Sequence, residues 1–570
     1  MTDETRNLLL AMVLSMAVLF GWTLISDAFF PPAREPATEF VDGEQVILPD
    51  TDAGPVSMAP AAIRARAEVI ADSPRVAIDT PSLSGSINLE GARLDDLLLK
   101  RHHETIAGQQ DIRLYSPAGS PQAYFAQFGW TGQGDLPTPT TRWTVESSGP
   151  LTPDNPVTLS WTNDAGIRFL IEYSVDEDYL FTVEQRIENR GSAAVVARPY
   201  GQIARTGTGP DDDTFNAHVG PISSGGGELD YDIGYDDLEG RQEVNATGGW
   251  LGFTDTYWLS ALIAGDTPVL SAFRKGRGID SYEATMQGDP LAVNQDRAVT
   301  TQFRLFAGAK EIDVLEGYQD AGGISQMEGA VDWGWFGLIA KPIYHLLAWL
   351  HTLVPNWGVA IILLVIVIRI VLFPIANKQY ESMAKMRQVQ PKMKAIQERY
   401  KDDKPKLQQE MMALYKTEKV NPLAGCLPIL LQIPIFYALY KTLLLSIDIR
   451  HQPFALWIKD LSAPDPLTPV NLFGFLPFDP PGFLAIGVLP ILLGISMWLM
   501  MKLNPAPMDD IQKKIFGIMP WVFMFIMAPF AAGLQLYWTI NNVISIFQQW
   551  ILLKKYPRED PPPAAPAEAK

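Results

Sequence analysis

The chain has 570 residues, too many for one hydrophobic core, so several units are expected. Its net charge of −19 is uneven: residues 27–332 hold 47 acidic and 21 basic side chains, a net of −26, while the remainder holds 17 and 24, a net of +7. The acidic part excludes nucleic acid as a natural partner, so no direct DNA binding is expected, and the single cysteine, Cys426, excludes an intramolecular disulfide.

Leu8–Ser26 is a 19-residue uncharged stretch. Ser26-Asp27-Ala28 loosely resembles a small-x-small cleavage site, which suits a signal peptide. The apolar stretch exceeds the usual h-region of about 7–15 residues, and bulky Phe29-Phe30 follow. Residues 1–27 are therefore read as an uncleaved transmembrane anchor. Residues 28–74, rich in Pro, Ala, Asp and Glu, read as a disordered periplasmic linker.

From Arg75 the pattern turns to period two. Phe181, Val183 and Ile187 point one way, and Thr182, Glu184, Arg186 and Glu188 the other. Phe169, Ile171, Tyr173 and Val175 repeat the alternation, and Gly, Pro, Asn and Asp interrupt such runs throughout. Residues 75–333 are expected to form a large all-β domain, a sandwich or similar.

Trp335–Val354 is apolar but carries Lys341, His345 and His351, and Pro355 ends it. If it spanned the membrane, the next run would return and residues 377–422, with 11 Lys and Arg, would face outward. The positive-inside rule opposes this. Residues 334–355 are therefore an interfacial amphipathic helix, and 356–376 the second span. Residues 377–422 have helix-forming composition broken at Asp402-Asp403-Lys404-Pro405 and read as a cytoplasmic helical hairpin. Further spans are expected at 423–447, 483–501, 515–530 and 533–553, with a periplasmic loop at 448–482 and a cytoplasmic loop at 502–514. The tail 554–570 is Pro- and Ala-rich and reads as disordered. Six spans put both termini inside and the β domain outside.

Arg369 lies within the apolar run Val359–Ile375, about 3 Å from its centre. An arginine there costs about 2.5–3.5 kcal/mol on insertion scales and is normally kept facing protein or water. It either snorkels to the cytoplasmic face or lines a watered cavity, and its nearly central position favours the cavity. No span contains an acidic partner, which points to water, amides or carbonyls around the guanidinium. In the last span Gln535, Thr539, Asn542 and Gln549 fall within about 80° on a helical wheel, bordered by Trp538. Tyr537, Asn541 and Gln548 make a second polar edge. Interhelical hydrogen bonding would account for part of this set. Gln432 adds an amide between Pro428 and Pro434.

No P-loop, dinucleotide fingerprint, HExxH or metal-spaced Cys/His cluster occurs. No cofactor, metal ligand or catalytic residue is therefore expected. The adjacent His102-His103 would point to opposite faces of a strand.

Three stretches carry a resemblance: Gln379–Gln390 (QYESMAKMRQVQ), Gln409–Tyr440 (QEMMALYKTEKVNPLAGCLPILLQIPIFYALY) and Pro453–Ser462 (PFALWIKDLS). With them the chain resembles the YidC family of bacterial membrane-protein insertases, in the Gram-negative form with a large periplasmic domain. The resemblance implies a polytopic α-helical inner-membrane protein with a five-helix insertase core, plus a β-supersandwich-like domain. It implies a hydrophilic groove open to cytoplasm and lipid, in which Arg369, Gln432 and Trp538 match groove positions. Trp538 stands where tyrosine is frequent in the family, and Val365 where some members have threonine. Gln535, Thr539 and Asn542 join this groove from the polar stripe. Lys385, Arg387, Lys392 and Lys394 would form a capture surface on the hairpin. Implied partners are nascent membrane proteins, the Sec translocon, membrane lipids and translating ribosomes. Ribosome contact through the tail would be weak, because beyond Lys554-Lys555 it holds only Arg558 and Lys570 as bases.

The function expected is insertion and folding of hydrophobic segments, without a chemical reaction. Two rivals remain: a transporter or channel for a small anion, and a membrane-anchored sugar-modifying enzyme using the β domain.

Overall fold

The computed structural model describes residues 63–555, apart from 107, 109, 210–216, 265–268, 277–279, 402, 419–426, 474, 477, 479–484 and 504–509. The expected first span, the linker up to residue 62, Cys426 and the tail from residue 556 lie outside the described residues.

Helix α1, Arg66–Ala71, opens the described chain inside the stretch read as a disordered linker, which corrects that reading for its last residues. Its anchor is tertiary: Arg66 pairs with Asp96 of the first sheet, while Arg64 pairs locally with Asp72 across the helix. A six-residue helix cannot persist on propensity alone.

Two antiparallel sheets, of ten and nine strands, then pack face to face. In the first, Val195–Thr206 lies between Tyr124–Gly132 and Ser281–Gln287. In the second, Arg297–Ala309 lies between Leu180–Asn189 and Trp258–Ile263. The alternation read from the sequence is the burial pattern: Phe169, Ile171, Tyr173, Phe181 and Val183 are all fully buried. Removing each such side chain from water is worth about 1.5–3 kcal/mol. Gln185 also points inward, and its amide donates to Gly129 O at 2.7 Å, a polar tie between the sheets. The β structure ends at Ala309. Helix α2, Ile312–Asp320, and two 3₁₀ turns fill the rest of the interval to residue 336, so the all-β reading overran there.

Helix α3, Gly337–Leu353, buries Ala340, Tyr344, Leu347 and Leu350 while leaving Leu338, Ile339, Trp349 and Leu353 exposed. Its buried face joins the β-domain core to that of the following helices. Polar contacts reinforce this junction. Lys341 pairs with Glu328 at 2.8 Å, and Tyr344 donates to Asp448 at 2.9 Å. Buried Lys441 reaches Asp332 at 3.2 Å. Arg450 donates to His103 O at 2.9 Å and lies over Tyr257 and Trp258. Burial pushes the Asp448 carboxyl above its usual range, against the opposing pull of the Tyr344 bond.

Helix α4 runs unbroken from Trp357 to Arg399, 43 residues. Asn356 caps it, accepting from Val359 N at 3.0 Å. The separate hairpin arm expected from residue 377 is thus the continuation of the second span, since nothing between Ala376 and Pro391 stops a helix. Helix α5, Lys404–Thr417, folds back on it, capped by Asp403. Val389 and Met393 pack there against Met411, Leu414 and Tyr415. Helices α6 (Leu427–Leu445), α7 (Val488–Leu503), α8 (Asp510–Met527) and α9 (Ala532–Lys555) complete the helical region.

Among the described residues one stretch, Trp357–Lys378, is long and apolar enough to cross a membrane by length and composition; Val488–Leu503 and Lys514–Met527 are shorter apolar helices.

Candidate functional site

The helical region exposes apolar side chains and buries a set of polar ones beside its apolar core. Ile370 and Val371 of α4, Trp498 of α7, Phe525 of α8 and Phe547 of α9 are exposed, whereas Gln535, Asn541, Asn542, Ser545 and Gln549 are buried. This inverts the arrangement of a water-soluble bundle and fits a hydrocarbon surround, where polar groups must satisfy one another internally.

Arg369 is half-buried against α9. Its Nε donates to Asn541 Oδ1 at 2.9 Å, and its Nη2 donates to Ser545 Oγ at 2.6 Å and to Asn541 O at 3.3 Å. Asn541 and Ser545 are one turn apart on α9, which is why both reach one guanidinium. Ser545 in turn donates to Asn541 O at 2.6 Å. These three arginine bonds end on neutral amide, carbonyl and hydroxyl oxygens, the kind of partner the lack of an intramembrane acid had suggested. Hydrogen bonds to a charged group are worth about 1.5–3 kcal/mol each, comparable with the cost of placing the arginine in the span.

One turn before Asn541 on α9, Tyr537 accepts at its hydroxyl from Gln432 Nε2 of α6, at 2.9 Å. Trp538 stacks its edge between Phe436 and Phe523, at centroid distances of 4.6 and 5.3 Å. Tyr537, Asn541 and Ser545, spaced four apart, are therefore the face of α9 that meets α4 and α6.

The stripe selected from the sequence lies elsewhere. Gln535 is fully buried, and its Nε2 donates to the carbonyls of Met527 and Phe530 at 2.9 and 2.7 Å, capping the end of α8. Asn542 donates to Ser496 Oγ of α7 at 3.0 Å and is 2% exposed. Thr539 is also buried. Gln535 and Asn542 thus stitch α9 to α8 and α7, and their bonds do not reach Arg369. Asn541 and Ser545 were the residues missed; Asn541 stood on the second polar edge, and Ser545 was legible only as its i+4 neighbour. Val365 is packed in the core, 1% exposed.

Of the four capture residues, Lys385, Arg387, Lys392 and Lys394 all lie on the C-terminal half of α4. Lys392 and Lys394 are exposed, and Lys392 pairs with Glu418 at 2.6 Å. The side chains of Lys385 and Arg387 lie outside the described ones. Among the described residues no group of His, Cys, Asp and Glu is placed to hold a metal.

Two family descriptions match the chain: "YidC periplasmic domain" over residues 75–346 and "60Kd inner membrane protein" over residues 349–559. The membrane protein insertase YidC of Zymomonas mobilis is 44% identical over 561 residues, covering 96% of this chain and 95% of that protein. Its namesake from Sinorhizobium fredii is 43% identical, with 97% and 96% covered. A solved structure described as an active YidC insertase with its first transmembrane domain resolved covers 84% of this chain and 94% of its own, at 19% identity and a TM-score of 0.37. With near-complete coverage at such identity, a β-sandwich matching the family's periplasmic domain and a helical region matching its membrane part, the chain belongs to the YidC family of membrane protein insertases.

Proposed function

We propose that the protein inserts and helps to fold hydrophobic segments of nascent proteins in the inner membrane, through the polar interior of its helical region and without a chemical reaction. The observation that carries this reading is Arg369 held on α9 by Asn541 and Ser545 within a bundle whose outer surface is apolar. Such an interior lowers the cost of moving a polar tail partway across hydrocarbon. An acidic residue costs about 2.5–3.5 kcal/mol at the centre of a span. An arginine about 4 Å away returns roughly 4 kcal/mol at an effective dielectric of 20. One guanidinium therefore offsets the passage of one acid, not of several.

In this reading six spans place both termini in the cytoplasm, the β domain in the periplasm and a five-helix core around the groove. The hairpin of α4 and α5 captures the client, Arg369 draws its acidic tail, and Gln432 and Trp538 line the path. The partners are nascent membrane proteins, lipids, the Sec translocon and the translating ribosome, the last engaged only weakly by the tail. The protein works alone or with the translocon.

The test is purified protein in liposomes, supplied with a short client bearing an outward tail. Protease-protected client is the expected outcome. Flux of small anions without any polypeptide would favour the channel reading, and mutarotation by the β domain would favour the enzyme reading.

A further inference from the structure

The loop before α7 holds a feature that client handling does not use. Leu472, Phe473, Phe475, Leu476 and Phe478 are all exposed, Phe475 at 87%. Five large apolar side chains within seven positions form a patch of the kind that marks an interaction surface. From Pro466 to Phe478 the sequence contains no charged residue.

The display is built. Leu472 and Phe473 take left-handed backbone, φ +51° and +61°, which side chains of this bulk rarely adopt. A ladder of hydrogen bonds holds them there: Leu472 N to Pro469 O at 3.0 Å, Phe473 N to Thr468 O at 2.9 Å and Leu476 N to Asn471 O at 3.0 Å. Such strain persists only where its surroundings impose it, and it gathers at functional segments.

The base of the loop is pinned to helix ends. Asp465 accepts from Leu489 N at 2.7 Å, capping α7, and from Trp457 Nε1 at 2.9 Å. Val488 N donates to Leu467 O at 3.0 Å, and Ala532 N at the start of α9 donates to Ala463 O at 2.7 Å. The patch therefore stands at the end of the bundle where α7 and α9 begin, and α7 itself exposes Leu492 and Ile495.

We propose that this loop is a wedge that inserts Leu472, Phe473 and Phe475 into the acyl region of the outer leaflet. The proposal rests on the reading that α7 spans the membrane with its first turn outward. The occupant is lipid because the loop base is pinned to the start of α7, a helix that exposes an apolar flank, and because the patch lacks charge and uses phenylalanine. Tryptophan and tyrosine stop at the headgroups by their polar ends, whereas phenylalanine has nothing to hold it there. The wedge fixes the depth of α7 and crowds the outer leaflet beside the bundle.

The experiment uses the full chain in phosphatidylethanolamine–phosphatidylglycerol vesicles. Cys426→Ala removes the only thiol, and Phe475→Cys then carries an environment-sensitive fluorophore. Ile370→Cys on the flank of α4 and Val196→Cys on the β domain are labelled in parallel. Lipids bearing a nitroxide near the headgroup should remove most of the emission at 475, while aqueous iodide removes little. The probe at 370 should be quenched by nitroxide at the chain ends, and that at 196 by iodide alone. Position 475 behaving like 196, with 370 still quenched by lipid, overturns the wedge and leaves the spanning reading intact. Loss of lipid quenching at 370 overturns both. Protection of 475 from lipid and iodide alike also overturns the wedge, in favour of a protein cover. Leu472→Cys repeats the measurement if Phe475→Cys does not fold.

Discussion

Arg369 and Asn541 are joined twice, by Nε to the side-chain amide oxygen at 2.9 Å and by Nη2 to the backbone carbonyl at 3.3 Å. The double contact orients the guanidinium plane and ties α4 to α9. A lysine keeps the charge but, with one ammonium in place of a fork, cannot reproduce this geometry.

Arg369→Ala is expected to impair insertion of clients with a single acidic residue in the outward tail by about tenfold, or about 1.4 kcal/mol, and clients with neutral tails much less. Arg369→Lys should retain most activity toward the acidic tail. Paired-tail insertion assays read both. Equal losses for the two tails would remove the electrostatic role.

Asn541→Asp separates holding from function. A carboxylate at this position would bind the guanidinium more strongly and neutralise it. Thermal stability in detergent should hold or rise while insertion of acidic tails falls. Ser545→Ala should instead lower both, since it removes one bond to a charged group, about 1.5–3 kcal/mol. Joint loss of stability and activity in Asn541→Asp would contradict this.

Deletion of residues 75–309, with α2, the 3₁₀ turns and α3 retained, should leave substantial insertion. The retained segment keeps the Asp332–Lys441 and Glu328–Lys341 pairs. It loses the seat of Arg450 on Tyr257, Trp258 and His103 O. A lower melting temperature is therefore expected, and Arg450→Ala in the whole chain should reproduce part of it. Complete inactivity of a stable, correctly inserted deletion would refute the prediction.

Ile515–Met527 is the apolar part of α8 and spans about 20 Å at 1.5 Å per residue, against a hydrocarbon core of about 30 Å. Gln535 clamps the end of α8 to the start of α9, so α9 cannot lend it length. Such mismatch is met by local thinning or by snorkelling of flanking side chains, here Lys513 and Lys514. One extra turn of leucine and alanine in α8 should reduce insertion while folding is kept. Unchanged insertion by a stable lengthened protein would count against thinning.

Period-two alternation made the β domain legible, because one face of each strand is buried and the pattern repeats that burial residue by residue. The apolar runs marked the helices for a similar reason. The polar face of α9 was not legible. Asn541 and Asn542 are adjacent and chemically identical, yet they lie about 100° apart on the helix. One meets Arg369 and the other Ser496, and only the placement of α4 and α7 around α9 decides which. Gln535 looked like a groove amide because a helical wheel does not show the carbonyls at the end of the preceding helix. The continuity of α4 was hidden for a simpler reason: the change from apolar to basic composition at Lys378 ends the stretch apolar enough to cross a membrane, not the helix.

That continuity has a mechanical consequence. From Arg369 to Arg399 the rod extends about 45 Å without a joint in its sequence of turns. A load at the hairpin tip is carried along this helix to the guanidinium, with Asn541 and Ser545 on the far side as the fulcrum. Pro374 and Pro391 are the two places where the rod lacks a backbone donor and bends most easily. The compliance of those two turns sets how much of a push at the tip is felt at Arg369.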